Sequence, residues 1–303
     1  MFESVTELTP EQVQWLDKCA EGTWALNPQT GLVDVKGRFS CSSQGLTDFK
    51  GVKFGMVDGT FYCLENQLTS LVGAPQMVDD SFYCSENQLT SLVGAPQSVG
   101  GHFDCDSNRL TSLKGAPPKV GGDFGCRDNA LTSLMGAPQE VGGGFYCHNN
   151  SLTSLVGAPL EVGDDFYCSD NSLTSLIGAP QEVSGYFNCA DNQLTSLVGA
   201  PREVGGDFYC RNNHLTSLEG APLKVGVSFF YCENNPVSKE TLDAIYDKMN
   251  KKTSYLAAVE SLWSEIPLDD QVLLYADDFK WVSPEQSRVI VALRAYQGLR
   301  GML

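Results

Sequence analysis

At 303 residues the chain is long enough for one extended body with caps at its ends, and it carries a net charge of −17. A surface this acidic repels nucleic acid and anionic membranes and favours basic proteins. Glu3, Glu7 and Glu11 punctuate the start, and the absence of a long apolar run there argues against a signal peptide or a membrane span.

Residues 1–37 read as an N-terminal cap of helix plus hairpin. Thr9-Pro10-Glu11 is a helix start, with Thr9 as N-cap and Pro10 at the first position, and Val13, Leu16 and Cys19 repeat at helical spacing. A hairpin around Asn27 to Gly31 then leads into the next segment, where its role is to cover an open sheet edge.

Residues 38–237 repeat. Cys63, Cys84, Cys105, Cys126, Cys147, Cys168, Cys189 and Cys210 are spaced by 21 residues, and Cys41 and Cys232 flank them at a spacing of 22. Each has a phenylalanine two residues earlier, and an asparagine follows three residues later from Asn66 to Asn235, with Gln44 in that place after Cys41. A fixed period of this length means a solenoid, in which a coil buries its apolar face only against its neighbours. Phe166 and Cys168 predict a short strand with both side chains inward, and Leu173 and Leu176 turn the chain inward again. Gly178 permits a backbone angle that most residues avoid, Pro180 fixes the next bend, and Val183 closes the coil from the far side. Coils repeating in one sense stack their strands parallel. The expected fold is an α+β repeat solenoid with one parallel β-sheet on its concave face, about ten coils long.

The pattern V-x-x-x-F-x-C-x-x-N-x-L-T-S-L resembles a leucine-rich repeat with Phe and Cys in place of two strand leucines. The N-x-L-T-S-L-x-G-A-P string, together with the W-x-x-N-P-x-T-G-x-V-D-V-x-G segment from Trp24 to Gly37, is similar to the 21-residue leucine-rich repeat proteins of tailed bacteriophages and some bacteria. The resemblance covers roughly residues 20 to 237 and implies a leucine-rich repeat horseshoe. It says little of function, because such scaffolds bind unrelated partners. Gln44 and Phe49 depart from the pattern, as expected of an edge coil.

From Ser238 the period becomes helical. Four helices are predicted within residues 238–303, the last beginning at Ser283-Pro284-Glu285-Gln286. This segment reads as a C-terminal helical cap or small bundle, with Trp263, Tyr275 and Trp281 as candidate contacts for dimerisation or a partner.

No cofactor or metal is expected. The cysteine column has no second Cys or His within a coil, so it forms a line and not a tetrahedron. Disulfides across adjacent inward positions demand strained geometry, and buried free thiols fit better, implying a reducing, cytoplasmic compartment. His102, His148 and His214 lie apart without a nearby nucleophile, and Gly142 to Gly144 precede a strand, so no catalytic or phosphate-binding constellation is present.

Residues between each inward Phe and Cys project onto the concave face. They read Tyr62, Tyr83, Asp104, Gly125, Tyr146, Tyr167, Asn188, Tyr209 and Tyr231, with Glu65, Glu86, Asp128, Asp170 and Asp191 bordering them two positions after the cysteines. Tyrosine offers a rigid apolar area with a polar tip, and stacked carboxylates repel one another until a basic ligand relieves them. The expected function is a non-enzymatic scaffold that captures a basic protein through these tyrosines and carboxylates. The phage resemblance implies a host defence protein as partner. A nucleic-acid mimic that blocks a DNA- or RNA-binding protein is the second expectation, and self-assembly through residues 238–303 the third.

Overall fold

The computed structural model describes residues 7–226, 230–232 and 234–237; the four helices expected within residues 238–303 lie outside the described residues. The described residues divide into two compact units, those up to residue 152 together with 156–164, and 153–155 together with those from 165 onward.

The first unit opens with helix α1, Pro10–Cys19, capped as the sequence predicts. Thr9 Oγ1 accepts from the Gln12 amide and Gln12 Oε1 accepts from the Thr9 amide, a reciprocal pair that satisfies two otherwise orphaned donors. The buried face differs from the expected one: Trp15, Leu16 and Cys19 are buried, whereas Val13 is only half-buried. The Trp15 ring meets Phe39 edge-on at 5.4 Å, and its Nε1 donates to Gln44 Oε1 at 3.0 Å, so the residue that replaces the repeat asparagine ties the helix to the first coil. Strands β1, Ala20–Asn27, and β2, Leu32–Ser40, form the antiparallel hairpin, in register from Ala20 opposite Phe39 to Asn27 opposite Leu32.

Strand β2 runs through the expected boundary at residue 37 into the solenoid. It pairs in parallel with β3, Phe54–Val57, and with β4, Phe61–Tyr62, so cap and first coil share one strand. From there on each coil carries two strands of two residues, as in Glu140–Val141 and Phe145–Tyr146. The Phe strands form one in-register parallel ladder and the valine strands a second, both joined through β2 in this unit. The second unit repeats both ladders, with Phe166, Phe187, Phe208 and Phe230 aligned in one and Val183, Val204 and Val225 in the other. The valine expected to close the coil therefore also hydrogen-bonds to its neighbours.

The inward assignments hold. In both units the described Phe and Cys of the first ladder, and the two leucines that follow, are buried. Phenylalanine rings stack at 5.2–5.5 Å, set by a strand spacing of about 4.8 Å. The cysteines are buried, and that burial pushes the thiols of Cys63, Cys84, Cys105, Cys126 and Cys189 well up. A thiol so held is inert packing that donates weakly to the next coil, as Cys105 does to the Gly125 carbonyl at 3.0 Å.

The asparagines bind more than their own bend. Asn87 Nδ2 donates to the carbonyls of Cys84 and Ser85 in its coil and of Cys63 in the coil before, while its Oδ1 accepts from the Leu68 amide. One side chain thus satisfies four backbone groups across two coils, and it recurs at the same register.

Candidate tyrosine face and its central dish

Because Phe and Cys point inward, the residue between them must point outward. Tyr62, Tyr83 and Tyr146 in the first unit, and Tyr167 and Tyr209 in the second, are accordingly half-buried; Tyr231 occupies the same register opposite Tyr209. The rings do not stand upright. They lean over the residue two positions earlier: the Tyr209 hydroxyl donates to Asp207 Oδ2 at 3.2 Å, and the Tyr146 ring covers Gly144 so closely that a Cβ there would lie 2.5 Å from its hydroxyl. Tyr62 and Tyr83 lie face to face at 5.0 Å and 6°. Burial, ahead of the charges nearby, raises the Tyr83 phenol.

Glu65, Glu86, Asp128 and Asp170 are exposed and Asp191 is half-buried. Each adopts a left-handed backbone, as do Ser107, Asn149, Asn212 and Asn234 in the same column, with φ between 52 and 57° throughout. Asp and Asn tolerate that conformation best, so backbone geometry selects them here alongside charge. The carboxylates are also less opposed than the sequence suggests. Asn149 donates to Asp128, and Asn212 donates to Asp191 at 2.7 Å, so an amide from the next coil neutralises part of the repulsion. Ser43 Oγ donates to Glu65 at 2.7 Å.

Three further side chains matter. Arg38 sits with its guanidinium 5.6 Å over the Tyr62 ring, paired with Glu21 at 2.6 Å. Its signal in the sequence is its place directly before Phe39, the column over which the tyrosines lean. Asp106 and Asp123 flank the interruption of the tyrosine column at Asp104 and Gly125. There Tyr83, Asp104, Asp106, Asp123, Arg127 and Tyr146 line a dish of about 320 Å³. Gly125 is buried, and a Cβ on it would lie 2.8 Å from Asp106 Oδ1.

The Asp106 carboxyl, 13% exposed, is pushed up to about 7 by burial first and Asp104 second. Arg127 opposes this, with Nε 2.7 Å from Oδ2 and its amide donating to Oδ1 at 2.9 Å. An unfolded aspartate titrates near 3.9. The folded chain therefore holds this proton more tightly, and the group's stabilisation, full below about pH 4, is lost as pH rises to about 7. Asp106→Asn is expected to be more favourable at pH 8 than at pH 5, by about 2 kcal/mol, because the asparagine carries no charge whose burial must be supported at the higher pH. Urea midpoints at the two pH values measure this; an equal loss at both refutes the assignment.

No family model matches the chain, and no curated protein matches it. Among solved structures the fold is similar to YopM from Yersinia enterocolitica WA-314, with a TM-score of 0.54 and 20% identity over 75% of this chain. The match takes in 51% of the YopM chain, so the alignment spans about half of that protein's length. At this identity the likeness concerns the fold alone. Stacked turns of about 21 residues and parallel strands give the chain the fold of a leucine-rich repeat solenoid, with one helix at its N-terminal end.

Proposed function

We propose that the chain is a non-enzymatic scaffold that captures a protein with a basic surface through its tyrosine-bearing sheet face. The observation that carries this is the Tyr62–Tyr83 stack, half-buried and flanked by exposed Glu65 and Glu86. It presents rigid aromatic area that loses little conformational freedom on binding, with carboxylates at its border to steer a cationic partner. Tyr146 and Asp128 carry the same chemistry in the first unit, and Tyr167, Tyr209 and Tyr231 with Asp170 and Asp191 carry it in the second. The similarity to phage-encoded repeats points to a host defence protein, sequestered in the cytoplasm, as the partner class.

The alternation of carboxylate with amide at Asp128–Asn149 and Asp191–Asn212 favours this over nucleic-acid mimicry, which needs evenly spaced negative charge. Reversing Glu65, Glu86, Asp170 and Asp191 to lysine is expected to weaken capture of the basic partner by tenfold or more, on the order of 1.4 kcal/mol. Affinity capture quantified against the unaltered chain reads this out. Undiminished capture overturns the proposal, and competition by duplex DNA together with a steep salt dependence would favour mimicry instead.

A further inference from the structure

The break in the tyrosine column is itself a built feature. Strands carrying Tyr83, Asp104, Gly125 and Tyr146 pair in register, so three rungs, roughly 14 Å, separate the two tyrosines. Nothing large fills that interval. Asp104 is short, Gly125 has no side chain, and any side chain at 125 would be driven against Asp106. The resulting dish of about 320 Å³ lies at the lower end of the range for small-ligand sites.

Its charge is arranged for an incoming cation. Arg127 already pairs with Asp106, which leaves Asp104 and Asp123 to face what enters. Both are held by backbone donors: the Asp106 amide donates to Asp104 Oδ1 at 2.9 Å, and the Gly144 amide to Asp123 Oδ1 at 2.7 Å. Carboxylates fixed in this way lose little freedom when a ligand binds. His102 Nδ1 lies 3.1 Å from Asp123 Oδ2 at the rim.

The chain itself indicates which cation the aromatic wall prefers. On one side of the Tyr62–Tyr83 stack, the Arg38 guanidinium rests over Tyr62 while pairing with the Glu21 carboxylate. On the other side, the next rung after Tyr83 is Asp104, opening on the dish. The two ends have the same parts, a tyrosine face and a carboxylate; at the first a guanidinium rests on the ring, whereas at the second the Arg127 guanidinium is taken up by Asp106 rather than laid on Tyr83. We propose that the dish seats an arginine side chain of the partner, its guanidinium stacked on the Tyr83 face and paired with Asp104. This rests on the protein-capture reading and names the group captured at its centre. A planar guanidinium suits both the ring and the carboxylate better than a lysine ammonium does.

The test titrates the full-length, nitrogen-15-labelled chain with N-acetyl-arginine amide and, in parallel, with N-acetyl-lysine amide. Saturable shifts at the Gly125 and Arg127 amides are expected with the arginine probe, at least about threefold tighter than with the lysine probe. Asp104→Tyr restores the residue that most coils carry in this column, so it is expected to fold while filling the dish. It should weaken the arginine probe about tenfold or more. Asp104→Asn should weaken it without filling the space. Absence of saturable shifts, equal binding of the two probes, or undiminished binding by Asp104→Tyr each overturns the subsite. None of these touches the protein-capture reading, which stands or falls on the four-site charge reversal.

Discussion

Exchanging Asn87 for aspartate, a near-isosteric change, is expected to destabilise the chain by roughly 4 kcal/mol at pH 8. Asn87 is buried, and its Nδ2 donates to the carbonyls of Cys63 at 2.9 Å, Cys84 at 3.1 Å and Ser85 at 3.1 Å. A carboxylate keeps the acceptor for the Leu68 amide but turns all three donations into contacts between an anion and carbonyl oxygens. Each of the three carbonyls loses one of two donors, since Asn66, Asn108 and the Glu65 amide still reach them. The larger part of the cost is a charge buried against carbonyl oxygens without a counterion. The new carboxyl would resist ionisation in the folded state, so part of the loss should be recovered as pH falls toward 5, when protonation restores one donor. Urea midpoints at pH 8 and pH 5 measure both effects. Amide exchange should accelerate first at Leu68 and Leu89, because a coil in a solenoid is held by its immediate neighbours. An unchanged midpoint at pH 8 would mean that the asparagine bridges carry no weight in joining coil to coil.

The same asparagine shows how far the sequence could be read. A column of Asn three residues after each Cys signals a tied backbone, and the bend within its own coil was legible from that spacing. The reach of Asn87 to Cys63 and Leu68 was not, because spacing fixes which residues share a column and not how far one coil slides over the next. The inward Phe and Cys followed directly from period 2 and apolarity, and both are buried. The second ladder was hidden, since a strand of two residues such as Glu140–Val141 has no period to detect. On the tyrosine face, outward direction was legible but ring orientation was not: alternation says that Tyr146 faces out, while only the bareness of Gly144 explains where it lies. The acidic border was half legible. Asp128, Asp170 and Asp191 stand where the backbone turns left-handed, which suits aspartate whatever its charge does. Glutamate has no such preference, so Glu65 and Glu86, at φ 55 and 53°, are the positions where charge best explains the choice.

Gly115→Ala separates these two kinds of left-handed backbone and should be more damaging still, at 4 kcal/mol or more. Residues of the Glu86 column sit near φ 54°, inside the region that a side chain can occupy at modest strain. Gly115 sits at φ 98°, where a Cβ is strained whatever its surroundings, and its surroundings are closed: a Cβ there would lie 2.6 Å from the Leu92 carbonyl carbon and oxygen and 2.7 Å from the Val93 nitrogen. Those atoms are backbone of the preceding coil, so relief requires the two coils to separate. The matching column position is glycine at residues 73, 94, 136, 157, 178, 199 and 220, each with φ between 81 and 99°. Glu86→Gly is the control, expected to change stability by no more than about 1 kcal/mol, since relief of backbone strain is offset by a freer unfolded chain. Thermal or urea unfolding of the two variants side by side tests the difference. If Gly115→Ala fell within 1 kcal/mol of the control, the Leu92–Val93 backbone would have to yield freely, and the close approach of coil to coil that holds Tyr83 and Asp104 in register could not be what fixes the dish.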